Sequence, residues 1–230
     1  MVEENTFVSV KIPTTLMSLS GVLYFSWPLG YLLNPQANNG LASDLGALHQ
    51  PYNWLFISFD VGCGFLILLS TVKLLGTIDK NYTQPNLRWL KFSVLGASGF
   101  GLLTAITAVM PLNCIQGSPN CKVALDNPYF VIHGIFSIGS VTCLTFSIFF
   151  IWFLLLSRKR SEASLAYLVP GIFLVVWLGF GSLTLFLVLQ NRSSTLSQRL
   201  FIGSCSLWLA LLPYFVGLII RMQSKVTIRL

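Results

Sequence analysis

Apolar residues fall along this chain in six long runs, about Thr14–Leu33, Asn53–Leu75, Lys91–Leu112, Tyr129–Leu156, Leu165–Leu189 and Leu200–Ile220, separated by short polar stretches. At about 1.5 Å of rise per residue each run is long enough to cross ~30 Å of hydrocarbon as an α-helix. The runs are continuously apolar and do not alternate with period two, so helices are favoured over barrel strands. The expected fold is all-α: a polytopic transmembrane bundle of six helices over 14–220. A short polar segment, 1–13, precedes it, and a basic tail, 221–230, follows it.

Composition agrees. The 230 residues are 54% hydrophobic and 9% charged, against roughly 25% charged in a soluble domain. So few charges cannot clothe a surface that faces water. The net charge of +7 raises the question of nucleic acid, but the cations sit in small clusters at the ends of apolar runs. They form no stripe interleaved with stacking aromatics. No nucleic-acid partner is expected.

Those clusters set a direction. One side of the bundle carries Lys11, Lys73, Lys80, Arg88, Lys91, Arg158, Lys159, Arg160, Arg221, Lys225 and Arg229, whereas the other carries only Lys122, Arg192 and Arg199. The positive-inside rule then puts both termini in the cytoplasm and the loops near 34–52, 113–128 and 190–199 outside. The first run follows Lys11, has a long apolar core and shows no small-x-small cleavage site behind it, so it reads as a retained anchor. An integral multi-pass protein of the plasma membrane is expected.

The cysteines fit this direction. Cys63, Cys143 and Cys205 lie within runs, where a thiol behaves as a small apolar group. Cys114 and Cys121 share the second outward loop, with the turn formers Gly117, Ser118, Pro119 and Asn120 between them. A disulfide on the oxidising side is expected. Two ligands alone would leave zinc under-coordinated.

Asn34, Asn113 and Asn191 mark the outer ends of the odd spans at nearly even spacing, which gives three hairpins of similar length but no proven repeat. Pro28, Pro170 and Pro213 are expected to kink their spans. In the third span Ser93, Ala97, Gly101 and Ala105 recur at i+4. Such a stripe admits a second backbone, either a neighbouring helix of the same chain or another copy.

Two ionisable residues lie deep in spans, Asp60 and His133. Counted from the outer ends they are about 10 Å and about 6 Å deep, so both belong to the outer half of the membrane. Asn53 shares the face of Asp60, and Ser137, Ser140 and Ser147 align with His133. Asp44 and His49 in the first outer loop can fold over the same mouth. Asp44, His49, Asn53, Asp60, His133 and Ser137 are therefore candidates for one polar chamber. An Asp60–His133 hydrogen bond ordering the bundle, a pocket for a lipid headgroup, and a hydrolytic or metal site are the open readings. No Gly-rich phosphate loop, HExxH, GxSxG, CxxC or Arg ladder occurs. No cofactor or bound metal is expected.

The segments Leu29-Gly30-Tyr31, Ala42-Ser43-Asp44-Leu45-Gly46-Ala47, Asn53-Trp54-Leu55-Phe56 and Gly62/Gly64 resemble the family called domain of unknown function 998. So do Met110-Pro111-Leu112-Asn113-Cys114, Cys121 and Val131-Ile132-His133-Gly134. The resemblance covers about residues 15–220. It implies a six-helix membrane protein, distantly like the Frag1/DRAM/Sfk1 group, and brings no established reaction. Members often end the third span in a Phe-Pro-Asp-like motif, where this chain has Met-Pro-Leu-Asn. The resemblance also directs attention to His133 and to Ser43-Asp44-Leu45-Gly46. The function expected is a non-enzymatic accessory or amphiphile-binding role, with membrane lipids as partners and a chamber near the outer leaflet. A membrane-embedded hydrolase or transferase acting on a lipid through Asp60 and His133 is the alternative, with a small transporter beside it.

Overall fold

The computed structural model describes residues 2–34, 41–81, 87–112, 128–157, 166–189 and 195–227. These form α1 (Val2–Tyr24), α2 (Trp27–Leu33), a 3-10 helix (Ala42–Gly46), α3 (Asn53–Asn81), α4 (Leu87–Val109), α5 (Pro128–Leu156), α6 (Leu168–Leu189) and α7 (Thr195–Thr227). Six stretches are long and apolar enough to cross a membrane: Lys11–Leu33, Asn53–Asp79, Leu87–Val109, Pro128–Leu156, Leu168–Leu187 and Thr195–Met222. They match the six apolar runs to within a few residues. Every element among the described residues is a helix, and the chain is a multi-pass membrane protein.

The first span is two helices. α1 begins at Val2, well ahead of the apolar run, so the segment before it continues the same helix. It ends at Tyr24, Phe25 and Ser26 are non-helical, and α2 starts at Trp27 with Pro28 in its first turn. Proline lacks the N–H that a helix interior needs, but a first turn leaves that donor unused anyway. Pro28 thus starts a helix instead of bending one. Pro170 also lies in a first turn, that of α6, and Pro213 is carried inside α7 without interrupting it.

Around the bundle the spans neighbour one another in the order α1, α3, α4, α5, α6, α7, and α7 closes the ring against α1. The packing is heaviest from α7 through α1, α3 and α4 to α5. α6 is held most lightly. Met17, Ile67, Val94, Phe100, Leu144, Trp177 and Trp208 fill the centre with no exposed surface. The outside is apolar too, with Val22 68%, Val72 69% and Val175 72% exposed. An inside and an outside that are both apolar mean that lipid is the solvent.

Backbone contact sets the tightest pairs. A Cβ on Gly64 of α3 would collide with the Gly101 carbonyl of α4, and one on Gly96 would come within 2.7 Å of the Cys143 carbonyl of α5. Small residues let these helices approach. The stripe in α4 is therefore used up within the chain. Ser93 and Ala97 have no exposed surface, Gly101 and Ala105 abut Gly64, and the Ser93 hydroxyl donates to the Ser147 carbonyl at 2.8 Å. Dimerisation through this stripe, one of its two possible uses, is set aside on that ground. Other buried hydroxyls are also satisfied by neighbouring helices: Ser70 donates to the Pro13 carbonyl at 2.9 Å, and Thr145 accepts from the Trp177 indole at 2.8 Å.

Candidate functional site

One end of the bundle carries α2, the 3-10 helix, the C-terminus of α4 and the N-termini of α3, α5 and α7. At this loop end the 41–50 segment is pinned from several sides. The Leu48 N–H donates to the Leu112 carbonyl at 2.8 Å, and Asn34 Nδ2 donates to Gln50 Oε1 at 2.9 Å. From α7, Gln198 Oε1 accepts from the Ala42 N–H at 2.6 Å, while its Nε2 donates to Ser43 Oγ at 3.2 Å. The chain forms a 3-10 helix here because Asp44 holds its start. The Asp44 carboxylate accepts the Leu41 N–H at 2.7 Å, satisfying a donor that the first turn leaves open. Asp44 is 1% exposed, so this cap lies inside the fold.

The other sequence candidates are held by separate partners. His49 is exposed on a left-handed turn, φ 69°. Asn53 opens α3, where its Oδ1 accepts the Trp54 N–H at 2.8 Å. His133 Nδ1 is 2.9 Å from the Met110 carbonyl, just past the end of α4. Ser137 contributes its carbonyl to Ser140 Oγ, 2.8 Å away. Asp60 makes no hydrogen bond or ion pair among the described residues. No Asp60–His133 bond forms, because α4 stands between α3 and α5 in the ring. Among the described residues no group of His, Cys, Asp and Glu is arranged to hold a metal. Cys63, Cys143 and Cys205 are free thiols. Cys114, Cys121 and the disulfide expected between them lie outside the described residues.

Sequence reasoning passed over what the structure does assemble. The Arg199 guanidinium of α7 lies over the Tyr31 ring at 4.0 Å and near the Trp27 ring at 5.4 Å, and its Nε donates to the Tyr31 hydroxyl at 3.2 Å. Trp27 and Tyr31 are one turn apart on α2 and meet edge to face, with centroids 5.7 Å apart. Tyr31, Leu45 and Phe56 form a small apolar cluster beneath, with Trp27 and Phe59 against it. Gly30 permits this, since a Cβ there would strike the Leu45 side chain. Two observations give the cluster chemical direction. A guanidinium stacked on aromatic faces is a fixed positive charge of the kind that recognises phosphate and carboxylate. Among the described residues the buried Trp27 indole N–H has no acceptor, which leaves a cost of about 1–3 kcal/mol that a ligand oxygen would relieve. The available sequence signals were aromatics at i and i+4 on α2 and a lone cation at the start of α7.

Asp60 has different surroundings. It lies on the face of α3 that carries Phe56, Cys63 and Gly64. It is close enough to Tyr24 of α1 and to Cys63 to interact electrostatically with both. It is part-buried, so it is not sealed in the core.

The family described as "Protein of unknown function (DUF998)" matches residues 19–213. That range covers the four middle spans whole and most of the first and last. No curated protein and no solved structure matches the chain.

Proposed function

We propose, from the premise that this chain belongs to the DUF998 family, that it binds the anionic headgroup of a membrane amphiphile at the loop end, without catalysing a reaction. The headgroup site is Arg199, Trp27 and Tyr31, packed against the Ala42–Gly46 segment through Leu45. By the charge asymmetry of the loops, this end faces outward across the plasma membrane and both termini stay in the cytoplasm. The observation that carries the reading is a buried, unmet indole N–H beside a guanidinium held on two rings. An indole N–H and a fixed positive charge at the end of an apolar bundle suit a phosphate or carboxylate whose acyl chains remain in lipid. Asp60 and His133 are separated by α4, so they offer no shared position for a substrate atom, and the hydrolase reading gains no support.

Phosphatidylglycerol titrated into delipidated protein and followed by native mass spectrometry tests this. Arg199→Gln should weaken retention about tenfold, or about 1.4 kcal/mol, and Trp27→Phe should weaken it by a smaller factor. Equal retention by the parent protein and both variants would remove the reading. The reading also puts Cys114 and Cys121 on the oxidising side. Intact-mass analysis of protein from membranes should then show the loss of two hydrogens without reductant and their return with it.

A further inference from the structure

Asp60 is a carboxylate inside a membrane span with no hydrogen-bond or ion-pair partner among the described residues. A charge in that position costs several kcal/mol unless something compensates it, and such residues commonly mark ion or substrate sites. Tyr24 and Cys63 lie within its electrostatic reach, and neither brings a positive charge.

A second polar group near the same depth is also unmet. The Thr104 hydroxyl of α4 is buried and has no partner among the described residues, and the residue is 6% exposed. Its omission is unusual within this chain, because Thr77, Thr107, Thr142, Thr145 and Thr184 each donate to the carbonyl four residues back. The register brings Thr104 and Asp60 to one level. Gly64 of α3 backs onto Gly101 and Ala105 of α4, which fixes where these antiparallel helices touch. Asp60 is one turn from Gly64 toward the loop end, and Thr104 is three residues from Gly101 in the same direction. At about 1.5 Å per residue they differ little in depth.

A third feature converges there. α1 stops at Tyr24, whose ring packs edge to face on Phe100 at 5.3 Å. Thr104 lies one turn beyond Phe100 on the same face of α4. At the end of α1 the Gly21 and Leu23 carbonyls accept the Phe25 and Ser26 N–H groups at 3.0 and 3.2 Å, so the Tyr24 carbonyl is a last-turn oxygen left, at the negative pole of the helix, for a cation. A broken span next to an intramembrane acid is how membrane proteins assemble oxygen ligands for small monovalent cations.

We propose that Asp60, the Thr104 hydroxyl and the carbonyl end of α1 at Tyr24 form a binding site for a sodium ion. The carboxylate supplies the charge, and the hydroxyl and carbonyls supply neutral oxygens. The site is independent of the headgroup cluster at Arg199 and stands whether or not that cluster binds lipid.

The experiment uses the full-length protein in nanodiscs and a membrane-permeant carbodiimide, which reacts with protonated carboxyl groups in apolar surroundings. Modification of Asp60 is read by peptide mass spectrometry in sodium chloride and in choline chloride of equal ionic strength. Sodium should slow modification at least tenfold and raise the thermal midpoint, while choline should do neither. Thr104→Val keeps the side-chain shape and removes the hydroxyl, so about tenfold more sodium should be needed for half-protection. Asp60→Asn should abolish the sodium-dependent rise in midpoint, and if that variant does not fold, Thr104→Val carries the test. Equal modification in sodium and choline, protection that follows pH alone, or an unchanged sodium requirement in Thr104→Val would each overturn the site.

Discussion

Ser147 joins three helices in the middle of the bundle. Its carbonyl accepts the Ser93 hydroxyl of α4 at 2.8 Å, and its own hydroxyl accepts the Trp208 indole of α7 at 3.3 Å. Neither donor can turn to water, so removing the hydroxyl leaves Trp208 unmet. Ser147→Ala should therefore cost about 1 kcal/mol, read as a lower thermal midpoint in detergent. An unchanged midpoint would mean that the indole finds another acceptor. His133 has a different dependence. Its bond to the Met110 carbonyl ties the start of α5 to the end of α4 and does not involve Asp60. His133→Ala and Asp60→Asn should thus act independently, with a coupling in a double-mutant cycle below about 0.5 kcal/mol. A larger coupling would restore the direct pair that the sequence suggested. That pair was one of three readings left open, and no hydrogen bond joins the two residues in the structure for a definite reason. Depth along a helix can be counted from residue numbers, and that count gave similar depths. Which helices are neighbours cannot be counted this way, and α4 turned out to separate them. The Arg199–Tyr31 bond was hidden likewise, since its partners are 168 residues apart.

Helix pairs are fixed by where backbones touch. Gly96 has the Cys143 carbonyl and Ser147 N–H against the place a Cβ would occupy, at 2.7 and 3.0 Å, whereas nothing lies within 4 Å of that place at Gly76. Gly96→Ala must push α4 from α5 and should destabilise by about 1–3 kcal/mol. Gly76→Ala meets open space in a helix interior and should stabilise by up to about 1 kcal/mol. Unfolding of both variants, measured side by side, checks the packing of α4 on α5, and a matched response would refute it. The spans themselves were plain in the sequence because the bilayer imposes a length on every one of them. The break in the first span was only half visible. Pro28 signalled a disturbance, but a proline serves equally as a kink or as a helix start, and only the backbone at Phe25 and Ser26 distinguishes the two. The small-residue stripe of α4 was also visible, while its partners, Gly64 of α3 and Ser147 of α5, required the fold.

At the scale of the molecule, a closed ring of six spans gathers its polar structure at one end. The Ala42–Gly46 segment, α2 and the start of α7 meet there through Gln198, Tyr31 and Arg199. The other end carries the Lys91–Asp79 ion pair and Arg88 against Trp89, and most of the chain's cations. The functional account depends on this polarity, because an outward amphiphile site needs the loop end outside. Single cysteines placed at His49, exposed at the loop end, and at Ser157, exposed at the other, in a background without the native thiols, report it directly. A membrane-impermeant maleimide applied to intact cells should label His49→Cys and should reach Ser157→Cys only after permeabilisation. Labelling of Ser157→Cys in intact cells, with His49→Cys protected, would contradict the account.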